Sequence, residues 1–204
     1  MKYLLIALSL ISLGAQAQQV DGTIREQNYT SYFCNTTKGP LYVVYKLSNA
    51  GNGCTAAALP FTNNTKYTTA IDKDYKHSTY NKGQLAAATN YADCELAAKT
   101  YRYYNCLPMS DILMNGIWKN KDESIAAESQ TEELRITSGA IFDNPPATIG
   151  DGLAVPKYFY KIVYSYTTHS YKHAYLFTND VSADVRDASV KEIEHMTRYK
   201  IWYE

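Results

Sequence analysis

Alternating apolar and polar positions mark several β-strands along the chain. The clearest is residues 41–49, LYVVYKLSN, where β-branched and aromatic side chains that suit a pleated surface precede a Gly-Asn-Gly turn. Further strands are predicted at residues 101–108 and at residues 133–143, the second of which is followed by two prolines. Two apolar runs, residues 154–166 and residues 173–179, flank the polar stretch TTHSYK and predict the arms of a hairpin.

Three helices are predicted among these strands. Residues 86–99 are rich in alanine, and residues 116–129 carry apolar side chains at intervals in a polar sequence. The third is the most clearly signalled, because Ser189 and Glu192 have the spacing of a capping box directly before an apolar face. No repeat and no linker rich in glycine and serine divides the chain. We therefore predict an α+β fold with a central, mostly antiparallel sheet and flanking helices, in one domain that spans residues 18–204.

The first seventeen residues have the pattern of a signal peptide. Lys2 is followed by an apolar run over residues 3–13 and by Ala15-Gln16-Ala17, the small-x-small pattern that signal peptidase cleaves. The run is too short to span a bilayer, which disfavours a retained anchor. The prediction is a secreted or periplasmic protein that starts near Gln18 and has no membrane association after cleavage.

The cysteines are consistent with an oxidising compartment. All four, Cys34, Cys54, Cys94 and Cys106, lie beyond the leader, and an even number in an exported chain predicts two disulfides. Three pairings are possible, and the sequential one, Cys34–Cys54 with Cys94–Cys106, is favoured because each bond closes a short loop. A metal site is disfavoured because the sequence has no Cys-x-x-Cys spacing and no nearby histidine partner.

The charge excludes a protein that binds nucleic acid through a large basic excess. The chain has 20 lysines and arginines and 20 acidic residues. The first half of the mature chain is nevertheless slightly basic and the second half is acidic. A polyanion would therefore bind the first half. Alternatively, both halves contribute to one folded domain and the asymmetry has no consequence.

Five segments, in order, resemble the DNA/RNA non-specific endonucleases. The family motifs are a W-V-x-Y-x-L strand, D-Y-x-x-S-G-Y-D-R-G-H-L-A-P-A, S-N-x-x-P-Q-x-x-x-L-N-x-G-x-W, V-x-x-G-x-x-F and V-x-V-P-x-x-F-Y-K-V. The matching segments are LYVVYKL, DYKHSTYNKGQLAAA (74–88), YNCLPMSDILMNGIW (104–118), ITSGAIF and LAVPKYFYKIV. The C-terminal IEHMTRYKIW resembles the closing helix of the family. The resemblance implies a ββα-metal finger within the α+β fold.

The residues that carry hydrolysis in the family are changed here. In the family, the histidine that ends D-R-G-H takes a proton from the attacking water, and this position is Gln84. An amide does not accept a proton near neutral pH, so the general base is absent. The aspartate and arginine of the same motif correspond to Asn81 and Lys82, and lysine does not grip a phosphate with two parallel hydrogen bonds.

The metal position is changed as well. The family holds one magnesium ion through the asparagine of L-N-x-G-x-W, which corresponds to Met114, and magnesium prefers oxygen to a thioether. Asn115 is adjacent, and the acidic residue eight positions beyond the ligand corresponds to Asp122. The resemblance thus implies no cofactor for this chain, and magnesium only if it is an active enzyme.

These changes predict an impaired nuclease that binds nucleic acid or a partner protein. Its predicted phosphate-facing side chains are Lys82, Arg102, Lys119 and Lys121, although scattered solvated cations explain them equally well. One alternative is an active magnesium-dependent enzyme in which His77 replaces the base and Asn115 the metal ligand. The other is a structural or interaction module that keeps only the fold.

Overall fold

A computed structural model of the chain describes residues 19–50, 54, 59–64 and 66–201. The predicted signal peptide lies outside the described residues. The described residues form eleven strands, with these bounds: β1 (Gly22–Arg25), β2 (Thr30–Cys34), β3 (Gly39–Leu47), β4 (Tyr80–Gln84), β5 (Cys106–Ser110), β6 (Leu134–Ile141), β7 (Ala147–Ile149), β8 (Leu153–Val155), β9 (Tyr158–Ser165), β10 (Ser170–Thr178) and β11 (Val185–Asp187). The α-helices are α1 (Asp72–Tyr75), α2 (Cys94–Ala98), α3 (Asp111–Leu113), α4 (Lys119–Glu128) and α5 (Val190–Thr197).

Seven of these strands form one antiparallel sheet in the order β1-β2-β3-β6-β9-β10-β11. Side chains alternate across it, so β9 places Phe159 and Val163 in the larger apolar cluster and Tyr160 and Ile162 in a second one. The second cluster includes Ile193 of α5, which therefore covers the opposite face of the sheet. The predicted α+β class and mostly antiparallel sheet are confirmed. No helix among the described residues is both long and apolar enough to cross a membrane.

The ββα finger packs on the face that carries the larger cluster. β4 and β5 pair antiparallel, with Lys82 opposite Pro108 and Gln84 opposite Cys106. The chain then continues through α3, a π-helical turn over Met114–Trp118, and α4. The indole Nε1 of Trp118 donates to the Gln84 carbonyl at 3.2 Å, and its ring packs edge-on against Phe159 and Phe177. One side chain thus fixes the finger helix to both β4 and the main sheet.

Most predicted strands are confirmed, but the region of residues 101–108 is a strand only from Cys106 onward. Residues Tyr103–Asn105 form a 3₁₀ turn, and all three side chains are buried instead of alternating. Asn105 explains the turn, because its amide donates to the carbonyls of Ala86 and Thr100 and accepts from the Ala86 N–H. These bonds across two segments outweigh the strand propensity of the tyrosines.

Two helix predictions need corrected bounds. Within residues 86–99 the α-helix covers only Cys94–Ala98, because Asp93 accepts from the Glu95 N–H and starts a helix there. The finger helix begins at Asp111, five residues before the predicted start, because the Ser110 hydroxyl accepts from the Leu113 N–H. The Ser189 cap of the last helix is confirmed, with its hydroxyl accepting from the Glu192 N–H at 3.0 Å.

The predicted disulfide pairing was wrong. Cys54 and Cys94 are bonded to each other across a separation of 40 residues, and Cys34 and Cys106 are free and buried. The prediction from loop length was wrong because the fold brings Cys54 to the connector that contains Tyr91, whose carbonyl accepts from the Cys54 N–H at 2.8 Å. Burial raises the pKa of the Cys106 thiol to about 12, so this thiol is held neutral.

We therefore expect two thiols per chain in unreduced protein, both hidden until the chain unfolds. An aromatic disulfide reagent at pH 8 should find no reactive thiol in the native state and two after denaturation, because the thiolate is the reactive form. A count of zero after denaturation without reductant would show two disulfides and contradict the pairing observed here.

Candidate active site

Six of the predicted site residues surround one cavity of about 270 Å3, and Asn81 does not line it. The six are Lys82, Gln84, Met114, Asn115, Lys119 and Asp122. The other side chains that complete its walls are Phe61, Ala87, Thr89, Tyr101 and Trp118. The fold therefore brings these positions of the two family motifs together in space, as the resemblance implies.

The Gln84 side chain is held by the protein on both sides of its amide. Its Nε2 donates to the Thr100 hydroxyl at 3.1 Å, and its Oε1 accepts from the Ala88 N–H at 3.3 Å. Thr100 is fully buried and donates in turn to the Ala97 carbonyl at 2.7 Å. Gln84 thus braces the segment that follows β4, and it has no group that removes a proton from water near neutral pH.

Met114 and Asn115 do not form a good site for magnesium. Met114 packs against the larger apolar cluster, and sulfur is a soft ligand that magnesium disfavours. The Asn115 amide Nδ2 donates to Asp111 at 2.8 Å, and Asp111 also accepts from Asn81 at 2.8 Å. Asp111, which the sequence interpretation missed, therefore fixes the side-chain amides of Asn115 and Asn81 by accepting a hydrogen bond from each.

Asp122 is not available as an ionised metal ligand. Its carboxylate accepts from the Lys161 ammonium at 2.6 Å, with Lys161 fully buried and the Asp122 side chain 6% exposed. The same ammonium lies 3.6 Å from the centroid of the Trp118 ring, a cation–π contact. Burial raises the pKa of Asp122 and lowers that of Lys161, and their mutual attraction opposes both shifts. A second cation beside this carboxylate would have to compete with one that the fold already supplies.

A magnesium ion does not fit this set of donors. The ligand position is a thioether, the adjacent amide is bonded to Asp111, and the nearby carboxylate is paired with Lys161. Among the residues that the structure describes, no three histidine, cysteine or acidic side chains gather closely enough to hold a metal ion.

Lys82 is one of the two lysines that line the cavity, and its charge is already compensated. Its ammonium donates to Asp72 and lies 5.0 Å from the Phe61 ring and 5.5 Å from the Tyr103 ring. Hydrogen bonds from Lys82 and from the Tyr103 hydroxyl, the latter 2.6 Å long, hold the pKa of Asp72 below its usual value. A phosphate at this place would replace Asp72 as the partner of Lys82.

The other predicted phosphate-facing cations are dispersed. Lys119 lines the cavity and lies 3.8 Å from Glu123, whereas Arg102 lies 4.0 Å from Glu26 and outside the cavity lining. Lys121 lies over the ring of Tyr175, 4.1 Å from its centroid. Only Lys82 and Lys119 of the four predicted residues therefore share the cavity.

The proposed substitute base does not reach this site. His77 is exposed in the turn between α1 and β4, with a left-handed φ of 64°, and it does not line the cavity. Asn115 does line the cavity. Besides Asp111, the sequence interpretation missed Asp72, Thr100, Asn105 and Lys161, each of which contacts a side chain or carbonyl in another segment of the fold.

The glycine between Lys82 and Gln84 is required by close packing of the two finger strands. A Cβ on Gly83 would lie 2.4 Å from the Cβ of Met109 on β5. We expect Gly83→Ala to lower the free energy of unfolding by about 1–3 kcal/mol, because an overpacked core must shift its backbone. Urea unfolding followed by circular dichroism measures the loss.

The control for this change is Asn120→Ala on α4, where the side chain is exposed and an alanine requires no packed neighbour to move. An alanine at position 83 that is tolerated as well as one at position 120 would contradict the packing argument.

Comparisons with known proteins agree with this geometry. The sequence model of the DNA/RNA non-specific endonucleases matches residues 8–204. A chain in the crystal structure of the EndoG/EndoGI complex, described as showing the mechanism of EndoG inhibition, superposes with a TM-score of 0.78 at 17% identity, covering 89% of this chain and 85% of that chain. At that identity the likeness shows the fold alone. No curated protein matches the sequence.

Proposed function

Because this chain belongs to the DNA/RNA non-specific endonuclease family, we propose that it is a member whose finger has lost efficient hydrolysis and binds nucleic acid instead. The observation that carries the proposal is the combination in one cavity of Gln84, bonded at both ends of its amide, with Met114 at the ligand position. Loss of a general base alone lowers the rate by about 10²–10⁴-fold. Loss of the metal ligand lowers the rate further, because a bound metal ion would stabilise the charge that develops in the transition state.

The proposed protein acts outside the cytoplasm. The N-terminal segment supports export, and the Cys54–Cys94 bond is of the kind that persists in oxidising compartments. Its nucleic-acid contact is small, because Lys82 and Lys119 are the predicted cations that line the cavity. Binding displaces Asp72 from Lys82 and Glu123 from Lys119, so it requires a phosphate to outcompete an existing carboxylate partner at each position.

The salt dependence of binding tests this proposal. For a short duplex, the logarithm of the association constant should fall with the logarithm of the salt concentration with a slope of about −2, since each neutralised phosphate contributes about −0.9. Lys82→Gln should make the slope less steep by about 1. Fluorescence anisotropy with labelled single- and double-stranded oligonucleotides measures both quantities.

The matched control is Lys157→Gln, since Lys157 is also a lysine paired with an acid, Asp143 at 3.0 Å, but lies outside the cavity lining. It should leave the slope unchanged. Absence of binding to both oligonucleotides at low salt, or an equal effect of the two substitutions, would count against nucleic-acid binding at this cavity.

A partner protein is the second candidate occupant. The dispersed cations favour it, because Arg102 and Lys121 do not join Lys82 and Lys119 in one basic surface. The similar chain comes from a structure of the EndoG/EndoGI complex, which supports binding of protein partners by this fold. Failure of nucleic-acid binding in the titration above would favour this candidate.

A further inference from the structure

A second recess adjoins the cavity at Phe61, a residue that lines both spaces. The recess has a volume of about 490 Å3 and lies beside the start of α1. Ile71, Asp72, Lys73 and Tyr103 are among the residues that line it. We name the cavity and the recess together the aromatic groove.

Three aromatic rings meet where the cavity and the recess join. The centroid of the Phe61 ring lies 5.4 Å from that of Tyr101, which lines the cavity, and 5.7 Å from that of Tyr103, which lines the recess. The Thr62 N–H donates to the Tyr101 carbonyl and the Tyr103 N–H donates to the Thr62 carbonyl, each at 3.1 Å. These two bonds fix the segment that carries Phe61. Phe61 and Tyr101 remain partly exposed, and rings held in this way offer stacking surfaces to bases at little ordering cost.

Lysines lie along the whole length of the aromatic groove. Lys119 lines the cavity and Lys73 lines the recess. Lys82 connects the two, because it lines the cavity and its ammonium donates to Asp72 of the recess. The same ammonium lies 5.0 Å from the centroid of the Phe61 ring, which both spaces share. A strand of nucleic acid that crosses from one space to the other would therefore pass Lys82.

Two acidic residues at the aromatic groove are already paired with lysines. Asp122 lines the cavity but forms a buried pair with Lys161 at 2.6 Å, which is neutral as a whole. Glu123 lies 3.8 Å from Lys119 without lining either space, and both side chains are more than half exposed. An exposed pair of this kind is weak, so Lys119 remains available to a phosphate.

Asp72 is the remaining acidic residue that lines the aromatic groove. Its side chain is 76% exposed, so it lies at the solvent edge of the recess. It accepts from the Tyr103 hydroxyl at 2.6 Å, and this bond remains when a phosphate replaces Asp72 on Lys82. Three lysines against one accessible carboxylate leave the aromatic groove positively charged, which favours a polyanion.

We propose that the aromatic groove binds an unpaired strand of nucleic acid, with one phosphate at Lys82 and the two adjoining bases in the cavity and the recess. This inference rests on the proposed function and adds the form of nucleic acid that is bound. The base in the cavity lies against Tyr101, and the base in the recess lies against Phe61 and Ile71, the last of which is 43% exposed. A basic groove with aromatic stacking surfaces is the arrangement by which proteins bind single strands without reading their sequence. Bases within a duplex are stacked on each other and would reach these rings only after unstacking.

Fluorescence anisotropy with three labelled probes of equal length tests this proposal. The probes are oligothymidylate, an abasic strand with the same phosphates, and the duplex of oligothymidylate with its complement. We expect the abasic strand to bind at least about tenfold more weakly than oligothymidylate, since stacking of a single base contributes about that factor. The duplex should also bind more weakly than oligothymidylate, because its bases are paired and stacked.

Two variants locate the bound bases. Phe61→Leu and Tyr101→Leu each remove one ring and should weaken the binding of oligothymidylate about tenfold, with little effect on the abasic strand. Either variant suffices if the other does not fold. The matched control is Tyr171→Leu, since Tyr171 is a tyrosine of β10 that is 46% exposed and lines neither space. It should leave the affinity for both strands unchanged.

Equal affinity for oligothymidylate and the abasic strand, tighter binding of the duplex, or full affinity in the folded variants would overturn this inference. The result for the proposed function is separate. If the abasic strand and the duplex bind, and Lys82→Gln weakens both, nucleic acid binds at the cavity through its phosphates alone. Absence of binding of all three probes at low salt would overturn the proposed function as well.

Discussion

Replacing Gln84 with histidine and Met114 with asparagine should give the protein magnesium-dependent nuclease activity, with cleavage at least about 10²-fold faster than that of the unaltered chain. Both positions line one cavity with Lys82, so the two new groups would face the same space. The Thr100 hydroxyl, which now accepts from Gln84, would accept from one ring N–H of the new histidine and leave the other nitrogen to take a proton. The new asparagine supplies the oxygen ligand that magnesium prefers.

Relaxation of supercoiled plasmid by the double variant measures this gain, with and without chelator. The matched control is a double variant that carries Gln84→Asn and Met114→Leu. It restores neither a base nor an oxygen ligand and should remain inactive. Each single substitution should recover less than the pair, because base and metal act on the same water. A folded double variant without chelator-sensitive cleavage would contradict the assignment of these two positions.

Removing the buried partner of Asp122 should have the largest effect on stability. Lys161→Met leaves the Asp122 carboxylate buried without its 2.6 Å contact, and breaking such a pair costs about 3–5 kcal/mol of the free energy of unfolding. The pKa of Asp122, already raised by burial, would rise further, so the folded variant holds its proton more tightly than the unfolded chain does. The deficit should therefore be larger at pH 7 than at pH 4, where the neutral carboxyl needs no cation.

Urea unfolding of three variants measures this effect. Lys157→Met, directly before the start of β9, removes an exposed ion pair with Asp143 and should cost less than about 1 kcal/mol. Asp122→Leu combined with Lys161→Met removes both charges and should recover much of the loss, since apolar replacements of buried pairs are often well tolerated. A cost for Lys161→Met no larger than that for Lys157→Met would contradict a buried pair at this position.

The sequence predicted the sheet well because its signals are local. The β3 run and the β9–β10 hairpin follow from alternation and turn residues, and the α5 start follows from the Ser189 cap, all of which depend on neighbours within a few positions. The same reasoning missed the late start of α2 and the early start of α3, although Asp93 and Ser110 are recognisable caps in the sequence. Those starts were predictable in principle.

The site was predicted in position but not in its contacts. Motif spacing placed Gln84, Met114, Asn115 and Asp122 around one cavity, because β4, β5 and the finger helix follow one another in the chain. The partners that restrain these side chains come from elsewhere. Lys161 is 39 residues beyond Asp122, and Thr100 reaches Gln84 only through the tertiary turn around Asn105.

The cysteines show the same limit. A pairing chosen by loop length had no access to the contact that brings Cys54 beside the Tyr91–Cys94 connector.

A cavity with an amide at the base position and sulfur at the ligand position should not support hydrolysis. Purified unaltered protein, incubated with supercoiled plasmid and either magnesium or manganese, tests this expectation most directly. We expect the plasmid to remain supercoiled with either ion. Nicking that co-purifies with the protein and is stopped by chelator would contradict it.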